Sequence, residues 1–160
     1  MPSWLRVALG IVILDQCTKV AANHMLNQFT PKVIVPNHLN FSLSYSEDAV
    51  FNYLSTGEGW QRWALVMISF LSIALIFYAK KFLKPHQKTS LFALSLLLGG
   101  AIGNLIDRLY VGKAIDFIQL QLSNNLYWPS FNLADAAILL GVAILIADGI
   151  YSGNDRARKD

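Results

Sequence analysis

Phe131-Asn132-Leu133-Ala134-Asp135-Ala136-Ala137-Ile138-Leu139-Leu140-Gly141-Val142-Ala143-Ile144-Leu145-Ile146-Ala147 is the stretch that decides the fold of this chain. One carboxylate, Asp135, opens a run in which residues 136–147 carry no charge. Spanning hydrocarbon takes about 20 mostly apolar residues, and the flanks bring this run to that length. Residues 63–77 and 91–105 form two further uncharged runs. The chain of 160 residues is 54% hydrophobic and only 14% charged, against about 25% charged in a soluble domain. Its mean hydropathy is +0.42. These features predict an integral membrane protein.

A fourth span is read at about 4–22, apolar through Leu14 and then broken by Asp15 and Lys19. A cleavable secretory signal has a similar outline, a basic residue before a short apolar stretch. However, Leu14, Asp15 and Gln16 stand before Cys17 where lipoprotein processing needs small residues, so a retained helix is the better expectation. The expected architecture is therefore an all-α integral membrane protein. It forms a single membrane domain over 1–160, with spans near 4–22, 63–82, 90–109 and 132–151 and a small outward-facing β-structured loop region. Lysines and arginines near span ends set orientation. Lys80, Lys81, Lys84 and Lys88 crowd the second connection and Arg156, Arg158 and Lys159 the tail, while Glu47, Asp48 and Glu58 lie in the first connection. Both termini are expected in the cytoplasm and the first and third connections outside. The basic balance is explained by this anchoring and calls for no nucleic acid.

In the first connection Leu39, Phe41, Leu43 and Tyr45 alternate with Asn40, Ser42 and Ser44, the period of a strand with one apolar face. Val33–Val35 is placed to pair with it across Pro36, Asn37 and His38. Cys17, the single cysteine, rules out a disulfide framework and reads as a small packing residue. His24, His38 and His86 have no metal-ligand spacing, so neither metal nor cofactor is expected.

Polar residues within the spans gather at one depth. With both termini inside, Asp15 and Lys19 fall in the outer half of the first span, four apart on one face and able to pair. Asn104, Asp107 and Arg108 come near the outer end of the third, with Gly100 on the face of Asn104 and Arg108. Asn132 and Asp135 lie at the outer mouth of the fourth, and Asp116 in the connection just before it. Asp148 is a further ~20 Å along that helix and reads as a solvated charge at the opposite interface. Carboxylates at the edge of hydrocarbon are costly and tend to serve function. Two that face one small volume can share a proton and do acid–base chemistry, which directs attention to Asp116 and Asp135. Lys19 and Arg108 are their candidate cations, and Asn104 and Asn132 their candidate orienting amides. The glycine-rich segment at 99–103, with its G-x-x-x-G spacing, suits close helix packing.

Gly99-Gly100-Ala101-Ile102-Gly103-Asn104-Leu105-Ile106-Asp107-Arg108 resembles the signature of the lipoprotein signal peptidases (signal peptidase II). Val111-Gly112-Lys113-Ala114-Ile115-Asp116-Phe117 and Phe131-Asn132-Leu133-Ala134-Asp135 resemble that family's two aspartate motifs, and Asp15-Gln16-x-x-Lys19 its amino-terminal one. The resemblance implies a bacterial inner-membrane aspartyl endopeptidase that removes signal peptides from diacylglyceryl-modified prolipoproteins, with globomycin as inhibitor. It assigns catalysis to Asp116 and Asp135, and support or substrate contact to Asn104, Arg108, Asn132, Asp15 and Lys19. One departure stands out: Ser46-Glu47-Asp48-Ala49-Val50-Phe51 occupies the place of the family's Asn-x-Gly-Ala-Ala-Phe.

Two carboxyl groups hydrolyse a peptide by dividing labour: the ionised one takes a proton from the attacking water, and the protonated one donates to the developing oxyanion and the leaving amine. Which aspartate does which is open at this stage. The rival is a small proton-coupled transporter, since intramembrane Asp, Lys and Arg also form ion pathways, but that needs polar residues spread across the membrane depth. We expect a monomer whose partners are lipid and substrate.

Overall fold

In hydrocarbon every backbone N–H and C=O must find its partner within the segment, so long apolar runs become helices. The computed structural model describes residues 1–46, 60–84, 86–123 and 126–157. It contains helices α1 (Ser3–Met25), α2 (Trp60–Lys80), α3 (Lys88–Tyr110) and α4 (Leu133–Ala157). Segments Arg62–Lys80, Lys88–Tyr110 and Leu133–Ile150 are long and apolar enough to cross a membrane. Helix α1, which carries Asp15, Gln16 and Lys19, is not among them. The altered motif at 46–51 lies almost wholly outside the described residues.

Helix α3 is the centre of the bundle, with α1, α2 and α4 each packed against it. Its small residues permit that closeness. A Cβ on Gly100 would come within 2.6 Å of Ile138 and overlap the Ala134 carbonyl, so α4 crosses here at backbone contact. A Cβ on Gly103 would lie 2.6 Å from the Asp15 carboxylate. Further along the bundle Ala8, Ile76, Leu94, Leu98 and Ala101 form an apolar core.

The expected hairpin is present, and it is part of a larger sheet. Strands β1 (Lys32–Val35) and β2 (Leu39–Ser46) pair through a turn in which Asn37 takes φ 61°, a conformation that asparagine tolerates. The third connection adds β3 (Ala114–Ser123) and β4 (Leu126–Tyr127), giving an antiparallel sheet in the order β1-β2-β3-β4. Asp116, expected in the connection before the fourth span, sits there on a strand, opposite Ser44 of β2. Helix α3 reaches β3 through Gly112 at φ 85°, with the Val111 and Gly112 amides both on the Asp107 carbonyl at 2.7 and 3.1 Å. Only glycine adopts such a φ without strain. Ala22, Leu43, Ile115 and Phe117 make a second core that seats the sheet on the end of α1.

Two other expectations are corrected. Cys17 is exposed on α1 instead of packed, because the face of α1 that meets α3 is the one bearing Ala8, Asp15, Lys19 and Ala22. Asp148 is half-buried and accepts a hydrogen bond from Ser90, tying α4 to the first turn of α3.

Candidate active site

Asp116 and Asp135 come together because two chain segments are pinned side by side. The Ile118 amide donates to the Phe131 carbonyl at 2.9 Å, and the Phe131 amide returns the bond to Ile118 at 3.0 Å. Residue 132 is thereby held against β3, and it begins α4. Asn132 caps that helix reciprocally: the Asp135 amide donates to Asn132 Oδ1 at 2.9 Å and the Asn132 amide to Asp135 Oδ2 at 3.2 Å. This is a capping box closed by an aspartate. It fixes the Asp135 side chain at a helix N-terminus, where the dipole favours negative charge.

The side-chain amides then join the two carboxylates. Asn132 Nδ2 donates to Asp116 Oδ1 at 2.7 Å and to Asn104 Oδ1 at 3.2 Å. Asn104 Nδ2 donates to Asp135 Oδ1 at 2.7 Å. Asn132 is fully buried, Asn104 and Asp116 nearly so, and Asp135 is half-buried at the edge of the cluster. Both amides expected to orient the carboxylates thus bond to them.

Beneath this layer lies a buried ion cluster. The Lys19 ammonium is 2.7 Å from Asp15 Oδ2, 2.6 Å from Asp107 Oδ2 and 3.2 Å from Asn104 Oδ1. The i,i+4 pairing of Asp15 with Lys19 was visible in the sequence; the second carboxylate, from α3, was not. Asp15 Oδ1 also accepts the Ala134 amide at 2.9 Å, and Asp107 Oδ2 accepts the Ile115 amide at 3.3 Å. The cluster therefore anchors the residue before each aspartate of the pair. Gln16 Nε2 links Asp15, Asp107 and the Gly103 carbonyl at 3.0–3.2 Å. Gly100 lies outside this network, in the α3–α4 contact. Of the two cations named from the sequence, Lys19 lies in this cluster and Arg108 bonds the Ser69 hydroxyl at 3.0 Å.

On the other side of Asp135 a cleft of about 420 Å³ opens between α2, α3 and α4, with Asn104, Arg108 and Asp135 at one end and apolar Leu75, Ile76 and Leu97 further along. Its walls come from α2 and from Ala101 and Ile138; Gly99, Gly100 and Gly103 are taken up in close helix packing, as their spacing suggested. Ser69 and Ser72 of α2 also face it. Sequence reading passed them over, although two serines in an otherwise apolar run were the available signal.

The model of the family described as Signal peptidase (SPase) II matches residues 7–151. A lipoprotein signal peptidase of Teredinibacter turnerae is 41% identical over 150 residues, 92% of this chain and 87% of that protein. One of Pseudomonas putida is 38% identical over 146 residues, covering 91% and 85%. Among solved structures, a bacterial membrane enzyme determined by the in meso method at 2.3 Å superimposes with TM-score 0.80 at 26% identity, over 96% of this chain and 90% of that one. Apolar helices, buried polar centre and structural likeness together define a multi-pass membrane enzyme. The chain belongs to the signal peptidase II family and is, with that family, a peptidase.

Proposed function

We propose that the protein is an aspartyl endopeptidase that removes signal peptides from prolipoproteins whose cysteine already carries diacylglycerol, cutting on the amino-terminal side of that cysteine. The observation that carries this reading is the bridging by Asn132, which bonds Asp116 through its side chain and Asp135 through its backbone. Two carboxyl groups bridged by one residue repel each other when both are ionised, which favours one proton shared between them. In hydrolysis, water adds to the scissile carbonyl as it loses a proton to the ionised carboxylate. The other carboxyl donates to the carbonyl oxygen. Collapse of the adduct breaks the C–N bond, and a proton passes to the leaving amine. Asn104 and Asn132 keep the acceptor oxygens aimed throughout.

The substrate assignment draws on the names of the relatives and on the cleft. An acyl-anchored peptide gains about 0.8 kcal/mol per buried CH₂, and it reaches the carboxyls at a fixed depth beside an apolar slot. We place the enzyme in a bacterial inner membrane as a monomer with α1 as a fourth span, both termini cytoplasmic and the aspartates at the outer face, with globomycin as inhibitor. The apolar core of Ala8, Ile76, Leu94, Leu98 and Ala101 beyond the site speaks against a proton pathway through the bundle. The deciding experiment is gel-shift cleavage of a diacylated prolipoprotein by purified protein. Asp116→Asn and Asp135→Asn should each abolish cleavage while the protein stays folded; substantial turnover by either, at matched amount, overturns the proposal.

A further inference from the structure

Helix α2 is held to α3 differently from the other helices. At its start, Arg62 donates from Nε to the Arg108 carbonyl at 2.9 Å and from Nη2 to the Leu109 carbonyl at 2.6 Å. Two turns further along, Ser69 sits in the interface at 5% exposure. Its hydroxyl donates to the Leu65 carbonyl at 2.9 Å and accepts from Arg108 Nη1 at 3.0 Å. A serine hydroxyl has a single proton. With that proton committed to Leu65, the lone pairs of Ser69 can only accept, and Arg108 can only donate. The geometry is thus fixed in direction. Arg108, Ser69, Asn104 and Asp135 line the same end of the cleft.

We infer that Ser69 is a positioning residue for substrate recognition: its hydroxyl sets where Arg108 presents the guanidinium across the cleft, beside Asp135. The inference rests on the peptidase reading above. The cleft beyond these groups is apolar, so an occupant enters with an apolar chain and stops where its first polar group meets donors. A guanidinium that lines the cleft together with Asp135 supplies those donors to a carbonyl oxygen of the substrate. Arginine has a long flexible stem with many rotamers, and the Ser69 acceptor on the facing helix favours those that lie across the cleft. Ser69 narrows that choice before substrate arrives, which is the part of binding that preorganisation improves.

The test is steady-state cleavage of a diacylated precursor in one detergent by wild type, Ser69→Ala, Arg108→Gln and the double variant. Ser69→Ala should raise KM about tenfold and change kcat by less than about twofold, because Asp116, Asp135 and their amides are untouched. In the Arg108→Gln background the same serine change should add nothing, the non-additivity expected of groups acting through one contact. If that background turns over too slowly, the same cycle is read as the dissociation constant of a fluorescent precursor, each variant also carrying Asp116→Asn. An equal rise in both backgrounds, or an unchanged KM in Ser69→Ala, overturns the inference while leaving the peptidase reading intact. Absence of cleavage by the wild-type protein overturns that reading instead.

Discussion

Replacing Lys19 by methionine tests whether the buried cluster is a charged scaffold. Lys19 is 1% exposed, and Asp15 and Asp107 are 0% and 2% exposed. Methionine keeps much of the stem's volume and removes the cation, leaving two buried carboxylates without it. Breaking a buried pair by removing one partner costs about 3–5 kcal/mol. For a chain of this size each kcal/mol shifts Tm by about 2–4 °C, so the loss should be roughly 6–20 °C. The assay is thermal unfolding in a mild detergent, with precursor cleavage measured on the same preparation. Activity should fall as well, since Asn104 loses one of the two donors, each at 3.2 Å, that fix which end of its amide faces Asp135. Removing all three charges together (Lys19→Met, Asp15→Asn, Asp107→Asn) should recover part of the lost Tm, because neutral replacement of a buried ion cluster is often tolerated. A Lys19→Met protein that melts within about 2 °C of wild type would refute the charged-scaffold argument.

Further outcomes follow from the same geometry. Gly100→Ala should cost about 1–3 kcal/mol by overpacking α3 against α4, read as a drop in Tm, whereas Gly10→Ala, with nothing within 4 Å of the new Cβ, should be neutral or stabilising. Single cysteines placed at Glu58 and Ser123 should react with an impermeant thiol reagent on intact cells, and one at His86 only after permeabilisation; opposite sidedness would contradict an outward-facing site. The diacylated precursor should be cleaved much faster than the same precursor without lipid, and globomycin should block it; equal, globomycin-insensitive rates would indicate another kind of substrate.

How far the sequence spoke for itself varied from element to element. Helices α2, α3 and α4 were legible because nothing but a helix satisfies the backbone of runs such as 91–105. Strand β2 was legible from alternation between Leu39 and Tyr45. Strand β3 was not recognised, though Ile118, Leu120 and Leu122 alternate with Gln119, Gln121 and Ser123 just as clearly. Its first half hides the pattern, because Ala114, Ile115, Asp116 and Phe117 are all buried, on both faces of the strand. Within the site, Asp15 with Lys19 follows from helical spacing alone. The contact of Lys19 with Asp107 and that of Ser69 with Arg108 depend on how the helices are rotated about one another, which no single-helix period encodes.

Helix α3 has a consequence for how the protein is made. Two-thirds of its apolar stretch, 67%, is covered by the rest of the chain, against 17% for α2 and for α4, so it is fitted to its neighbours more than to lipid. The ribosome delivers α1 before α3, with Asp15 and Lys19 already four residues apart, and α3 then brings Asn104 and Asp107 to them. Asp135 arrives only with α4, whose first turn docks by giving the Ala134 amide to the waiting Asp15. Until that docking the chain holds at most one of its two central carboxylates. On the proposed pair of carboxyls, the order of synthesis keeps the nascent chain inert until α4 is in place.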